Sequence, residues 1–368
     1  MKKVAILTSV HYVYDTRIFY RISQSLVKHG YDVKLVAPMD NTTSFIKDGI
    51  HVSPVKKQKN RLQRIIITTW HVFRKALQID ADIYHFHDPE LIFVGYLLQL
   101  RGKSVVFDIH ENVSKQILTK SWLPLKKTIS IIYRLIERVF VRNFHLILAE
   151  ESYNHLYPNH RKKITVLNFP NLSILPDEFT KKKKNSIVYV GGVTRERGIE
   201  TVLHALAKVK ESGYSFHFTC IGPMSTQYKL TLQQLCIDLN IHDRVSFLGR
   251  LKAEDAYSFV KQAQIGVAIL QPIDNYIESY PTKIFEYMAL RTPYITSNFK
   301  LYSTLTADTN AGVTVNPLNT DEIKKKIILL LSDDKLLRTL SENGRIAVET
   351  KYNWEKEEKK LLDLYQQF

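Results

Sequence analysis

The sequence predicts a two-domain α/β protein, each domain built on a doubly wound parallel sheet. Three observations lead there. The chain has 368 residues, and at roughly 150 residues per domain two domains are the expectation. Short apolar runs, of the kind that form buried parallel strands, alternate with helical stretches. The alternation breaks near residue 170 and starts again at residue 186.

Val4-Ala5-Ile6-Leu7-Thr8 reads as the first strand. A helix from Ile18 to Lys28 follows, with Ile18, Ile22, Leu26 and Val27 on one face and His29-Gly30 as its stop. Asp32 to Ala37 is the second strand, which completes a right-handed βαβ unit. Ile83 to His87, a helix from Pro89 to Leu100, and Ser104 to Asp108 repeat the pattern; Leu146 to Ala149 and Ile164 to Leu167 close this half. The boundaries are therefore an N-terminal domain over 1–170 and a linker over 171–185. The run Lys181 to Lys184 in that linker reads as a solvated, self-repelling tether. The second domain, 186–350, opens with Ser186 to Val190, a Gly191-Gly192 turn and a helix from Gly198 to Lys210. Its further strands are Phe216 to Gly222, Val245 to Gly249, Ile265 to Ile269, Tyr294 to Thr296 and Gly312 to Val315. Residues 351–368 are expected to form a C-terminal helix packing back on the first domain. In such sheets ligands bind at the carboxyl ends of the strands.

Composition narrows the class. At 45% hydrophobic and 24% charged, the chain is neither disordered nor low-complexity. Cys220 and Cys236 lack metal-ligand spacing and are expected reduced in a core, which suits the cytosol. The first strand lies so close to Met1 that no signal peptide is expected, and no apolar run reaches the roughly 18 residues that span a bilayer. The balance of 52 Lys+Arg against 36 Asp+Glu gives +16. An anionic partner is expected: nucleic acid, an anionic membrane or a phosphorylated small molecule.

The densest constellation is Glu278-Ser279-Tyr280-Pro281-Thr282-Lys283-Ile284-Phe285-Glu286-Tyr287-Met288-Ala289. Pro281 suits the first turn of a helix, whose free N–H groups around Tyr280 to Lys283 make an anion site. Lys283 opposes the helix dipole there, as it can if a phosphate lies between them. Glu286, one turn on, can accept two ribose hydroxyls, and Glu278 the hydroxyls of whatever the phosphate carries.

Glu278 and Glu286 resemble the E-x7-E motif of the family 4 retaining glycosyltransferases, and Pro281 to Ala289 is similar to the form found in bacterial polysaccharide enzymes. The resemblance extends over nearly the whole chain, through Asp15 to Phe19, His85 to Glu90, Asp108 to Glu111, Val166 to Pro170, Phe247 to Gly249 and Tyr352 to Trp354. It implies a GT-B fold: two Rossmann-like domains facing a cleft, nucleotide-sugar donor on the second and acceptor on the first.

Val190 to Gly198 is the second constellation, where glycines admit a close ligand and arginines clamp diphosphate oxygens. The family carries an Arg after the first glycine and a Lys before the last. Here Gly192 takes the Arg place, Arg197 matches the Lys, and Arg195 is offset. The family also places a histidine against the donor sugar, and His110 matches it. The implied catalytic set is therefore His110, Glu278, Arg197 and Lys283; Glu286, Gly191, Gly192, Arg195, Thr282 and Leu251 bind the nucleotide. His87 and Asp88 read equally as acceptor contacts or structural groups, and Asp15 and Arg17 as acceptor ligands or helix caps. Many relatives have a glycine pair where Tyr14-Asp15 stands.

No metal or other cofactor is expected. Asp80-Ala81-Asp82 has D-x-D spacing but precedes its strand, at the wrong end for a ligand. The leaving diphosphate then falls to Arg197, Lys283 and helix N–H groups. Lys56, Lys57, Lys59, Arg61, Arg64, Arg74 and Lys75 run among Ile65, Ile66, Ile67, Trp70 and Phe73. Lys115, Lys120, Trp122, Leu123, Lys126, Lys127, Ile131, Ile132 and Arg134 repeat the mixture. Both stretches read either as interfacial helices on anionic lipid or as buried faces with solvated lysines. The function expected is transfer of a sugar, UDP-linked by preference, with retention, to a saccharide or lipid-linked acceptor of surface polysaccharide at the inner face of the cytoplasmic membrane. A nucleotide-sugar epimerase of the same fold needs further acid/base residues that cannot be placed. A nucleic-acid binder needs aromatic–basic stripes on an open sheet or a helix-turn-helix, and neither is found.

Overall fold

A computed structural model describes residues 1–58, 60, 63–119, 123–175 and 180–368. Lys59, Arg61, Lys120 and Trp122 of the basic stretches lie outside these residues. The chain forms two units, Met1–Asn168 with Trp354–Phe368, and Phe169–Asn353.

The first unit carries strands β1 (Lys3–Leu7), β2 (Asp32–Met39), β3 (Phe45–Lys47), β4 (Ile50–Lys56), β5 (Ile83–Phe86), β6 (Ser104–Ile109), β7 (His145–Leu148) and β8 (Lys163–Thr165). They lie in the order β3-β4-β2-β1-β5-β6-β7-β8. All pair in parallel except the β3–β4 hairpin. That hairpin is an addition to the strands read from sequence. β3 is a short edge strand, and Pro54 is tolerated in β4 because β3 pairs only as far as Val52. Along β1, Val4 and Ile6 enter one core cluster and Ala5 and Leu7 the other, the two-residue period of a strand buried on both faces.

The helix expected from Ile18 begins as a wider π turn over Ile18–Ser23 and becomes α-helical only over Gln24–Lys28. Ser23 Oγ donates to the Ile18 carbonyl five residues back, at 2.6 Å, which supports the wider turn. Helix Trp354–Tyr365 completes this unit. Trp354, Leu361, Leu364 and Tyr365 share the cluster of Val4 and Ile6. Trp354 Nε1 donates to Ser25 Oγ at 2.9 Å, and the Glu357 carboxylate accepts from Leu167 N at 2.8 Å.

The second unit holds β9 (Ser186–Val190), β10 (His217–Ile221), β11 (Val245–Gly249), β12 (Ile265–Ala268), β13 (Tyr294–Ser297) and β14 (Gly312–Val315). Their order is β11-β10-β9-β12-β13-β14, all parallel. Winding reverses between β9 and β12 here, and between β1 and β5 in the first unit. The loops leaving those strands are where such sheets bind ligands. Cys220 and Cys236 are buried and free.

Two local expectations are corrected. Lys182 is no solvated tether residue: it is half-buried and donates to Thr292 Oγ1 at 2.9 Å, while Lys183 N donates to the Gln262 carbonyl. Burial, with Arg291 and Lys261 nearby, draws the Lys182 ammonium down to about 7. Pro281 caps helix Thr282–Ala289 from outside rather than sitting in its first turn, because its ψ of 109° is extended. In the basic stretch, the half-buried Arg64 grips the Glu90 carboxylate at 2.7 and 3.3 Å. No described helix is long and apolar enough to cross a membrane.

Candidate active site

In the second unit, the loops after β9, β10 and β12 converge on helix Thr282–Ala289. Gly191 N donates to the Ile221 carbonyl and Val193 N to the Pro223 carbonyl, both at 2.9 Å. Gly222, at φ 147°, passes so close that a Cβ there lies 1.8 Å from the Gly191 carbonyl oxygen. Gly198 opens helix Ile199–Glu211 at φ 73°, and a Cβ on it lies 2.0 Å from the Ile269 carbonyl oxygen. Side chains are excluded at both places by backbone, which explains the glycines.

Lys283 is buried, at 5% exposure, and its Nζ reaches across to this loop. It donates to Tyr189 Oη at 3.3 Å and sits 4.5 Å from the centre of that ring. A Cβ on Gly191 lies 3.2 Å from the ammonium. The Tyr189 hydroxyl in turn donates to the Gly192 carbonyl at 2.6 Å, fixing the turn. The Arg197 guanidinium stacks on the Tyr276 ring at 4.7 Å. Burial, then repulsion from Arg197, lowers the Lys283 ammonium to about 7, although Glu286 pulls the other way. Two cations held together in low dielectric form a site that gains from a bound anion.

The structure thus gathers Gly191, Gly192, Arg197, Lys283 and Glu286. Glu286 is half-buried in the second turn of its helix, while Thr282 at the helix start and Glu278 before it are exposed. Arg195 stands apart: it is exposed and pairs with Glu200 at 3.6 Å. Leu251 is half-buried just beyond β11. Tyr189 and Tyr276 were missed in the sequence. Tyr189 reads as one more strand residue, and nothing at Tyr276 signals a partner about 80 residues away, the ring–cation reach being a tertiary property.

In the first unit, Asp108 at the end of β6 is fully buried and takes two bonds from Arg17, Nε at 2.8 Å and Nη2 at 2.9 Å. Arg17 Nη1 also donates to Asn168 Oδ1 at 2.8 Å. Burial opposes charge on Asp108, but Arg17 and the three histidines around it together hold the carboxyl well below the usual range. Three histidines crowd the same carboxylate: His87 Nδ1 at 3.3 Å, His110 Nε2 at 3.7 Å and His85 Nε2 at 3.8 Å. His87 Nδ1 lies 2.8 Å from His110 Nε2, and His85 Nδ1 bonds Tyr365 Oη at 2.7 Å. The carboxylate favours a proton on His87 Nδ1, so His110 Nε2 accepts it and keeps its own proton on Nδ1. Burial lowers His110 to about 4, against the pull of Asp108, and drives His87 well below its ordinary value. His110 is therefore a neutral hydrogen-bonding group at neutral pH.

The neighbouring residues have structural partners. Asp15 accepts from Arg17 N at 2.8 Å and Ile18 N at 3.0 Å, a helix cap, and lies 3.7 Å from His11. Asp88 ties down the loop after β1, accepting from Thr8 Oγ1 at 2.7 Å and Ser9 N at 2.6 Å. His85, His87 and Asp108 also place ligand atoms within 4.8 Å of one another, a grouping with metal-binding donors that sequence spacing did not reveal. The donor set fits a cation poorly, because Arg17 already neutralises both oxygens of Asp108. Asp80 pairs with Lys103 at 2.6 Å, and Asp82 accepts from Lys3 N at 2.8 Å, both at the amino ends of strands.

Two family models match the chain: Glycosyltransferase Family 4 over residues 16–153 and Glycosyl transferases group 1 over residues 173–347. The capsular polysaccharide biosynthesis glycosyltransferase CapM of Staphylococcus aureus is 23% identical over 196 residues, 53% of this chain and 50% of that protein. The chain spans about half the length of the curated relatives it matches. Among solved structures, sucrose-phosphate synthase from Thermosynechococcus elongatus superposes with a TM-score of 0.81 at 18% identity, covering 100% of this chain and 99% of that one. Anabaena HepE, in complex with UDP, gives 0.73 at 12% identity and covers 100% of both chains. Two parallel-sheet units, a glycine loop set against a buried lysine, and a family match over each unit make this chain a member of the family 4, group 1 glycosyltransferases with the GT-B fold.

Proposed function

We propose that the protein transfers a sugar from a nucleotide diphosphate donor, UDP-linked by preference, to a saccharide or lipid-linked acceptor of surface polysaccharide, with retention and without a metal. One observation carries this: the buried Lys283 ammonium, near enough to Arg197 to be repelled by it, faces the Gly191-Gly192 turn, where Gly192 leaves open the space a side chain would fill. Lys283 and Arg197 stabilise charge as it develops on the departing diphosphate, where fixed cations contribute most. Glu286 accepts the ribose hydroxyls, Glu278 binds hydroxyls of the sugar, and His110 donates from Nδ1 to a sugar oxygen. UDP in HepE and the polysaccharide role in the name of CapM support the choice of donor and product class. The acceptor-side unit works against an anionic membrane, a reading supported by Ile66 and Trp70, which lie exposed among basic residues.

Release of nucleotide diphosphate across UDP-, GDP-, ADP- and dTDP-sugars tests the reaction, with EDTA present. Turnover of a UDP-sugar that survives EDTA is expected; abolition by EDTA removes the metal-free reading. Two charge-assisted hydrogen bonds of about 1.5–3 kcal/mol each rest on Glu286. Glu286→Ala should therefore weaken UDP binding by at least an order of magnitude, and Glu286→Gln by less. Calorimetry showing unchanged affinity in Glu286→Ala takes the ribose away from this residue.

A further inference from the structure

Helix Lys126–Phe140 of the first unit is turned inside out. Its polar side faces the domain: Ser130 Oγ donates to the Ser114 carbonyl at 2.8 Å, and Tyr133 Oη donates to Glu137 Oε1 at 2.8 Å. Tyr157 bonds the same glutamate from the protein body. Its apolar side faces outward, with Ile131, Ile132, Leu135, Ile136 and Val139 all exposed, Val139 at 70%. At 100° per residue these five form one continuous arc, the reverse of how a helix of a water-soluble domain is oriented. A contiguous apolar surface of this kind marks an interaction site.

Where the helix ends, a groove of about 650 Å³ opens between Arg138, Arg142, Arg161 and Lys162. No lining residue is acidic, and Val141 and Tyr157 form part of its wall. The groove lies at the amino ends of β7 and β8, the opposite edge of the sheet from the loops that carry His110 and Asp88. Arg138 precedes Val139 directly, so basic groove and apolar arc are continuous.

We propose that this groove binds the phosphoryl head group of an anionic membrane lipid while the Ile131–Val139 arc lies in the acyl boundary of the same bilayer. An amphipathic helix with flanking cations has the chemistry of an interfacial anchor. A second copy of the chain fits less well, since a two-fold contact brings the same four cations face to face. Nucleic acid leaves the apolar arc without a role. The proposal deepens the membrane placement above, and it stands whether or not the chain transfers a sugar.

The test is co-sedimentation of the full chain with vesicles of phosphatidylcholine alone, or of equal parts phosphatidylcholine and phosphatidylglycerol. Wild type should sediment with the anionic vesicles and be released by salt. Each cation near such a surface is worth roughly a factor of five, so Arg142→Glu/Arg161→Glu/Lys162→Glu should lower partitioning by on the order of a hundredfold. Leu135→Glu/Val139→Glu should lower it comparably, with thermal melting and UDP binding unchanged in both variants. Inorganic phosphate at the ionic strength of a sodium chloride control should compete no better than chloride. Competition by phosphate alone assigns the groove to a free anion and overturns the proposal. So does vesicle binding that survives either variant, or an arc variant that converts a dimer to a monomer on gel filtration while vesicle binding is unchanged. Because UDP binding is read separately, failure here and failure of the transferase reading are distinguishable.

Discussion

Replacing Lys283 by Met is expected to lower turnover of the sugar donor by about 10²–10³-fold, the loss typical when a preorganised group at the site of developing charge is removed. Met keeps the apolar stem against Tyr189 and removes only the ammonium, so the fold should persist. The loss should appear in kcat and kcat/KM together, because the charge it meets is greatest in the transition state. The same residue gives the reaction a pH signature. With its ammonium near 7 in the free chain, Lys283 is increasingly neutral above that pH. A diphosphate requires the charged form, so affinity for UDP should fall as pH rises above about 7, with uptake of a proton. Calorimetry in buffers of different ionisation enthalpy measures that uptake, and the Met variant should lack it. Full turnover in Lys283→Met, with Arg197→Ala inactive, moves the role to Arg197 alone.

Asp108→Ala should cost about 3–5 kcal/mol, because it strands the Arg17 guanidinium in the interior. Urea unfolding followed by signals of the first unit measures it. Arg17→Met together with Asp108→Leu should recover most of the loss, since removing both charges leaves none unpaired. A single variant that melts like wild type refutes the buried pair. Acid acts on the same cluster. His110 lies near 4 and His85 and His87 below their ordinary 6.5, so the unfolded chain binds more protons as pH falls through that interval. Stability of the first unit should therefore decline between about pH 6.5 and 4. The Asp108 contribution, from a depressed carboxyl, persists above its unfolded value near 3.8 and is lost only at lower pH.

Much of this was legible in the order of residues. Buried parallel strands announce themselves as apolar runs, and both doubly wound sheets follow from that. Glu278, Lys283 and Glu286 share one helix and its approach, so local spacing suffices to group them. The Arg17–Asp108 pair was beyond reach because its partners stand 91 residues apart. Arg17 reads from sequence as an acceptor ligand or a helix cap. Tyr189 was hidden by its strand, where any large apolar residue serves. The helix Lys126–Phe140 shows a different limit. Its periodicity is plain, but periodicity says which residues share a face and not which face meets water. β3 escaped because an exposed edge strand has no apolar run to betray it, and β4 because His51, Ser53 and Pro54 interrupt its apolar residues.

The return of Trp354–Phe368 to the first unit also shapes how the protein is made. A ribosome delivers residues 1–168 first, yet Val4 and Ile6 have no complete cover until Trp354, Leu361 and Leu364 arrive. The intervening unit, continuous from Phe169 to Asn353, can fold to completion in that interval. During synthesis the domain translated first is thus the one finished second, and its half-covered sheet waits through the making of the other. Chaperone dependence in vivo should accordingly concentrate on the first unit, and a stop codon near residue 350 should leave a folded second unit joined to an open first one.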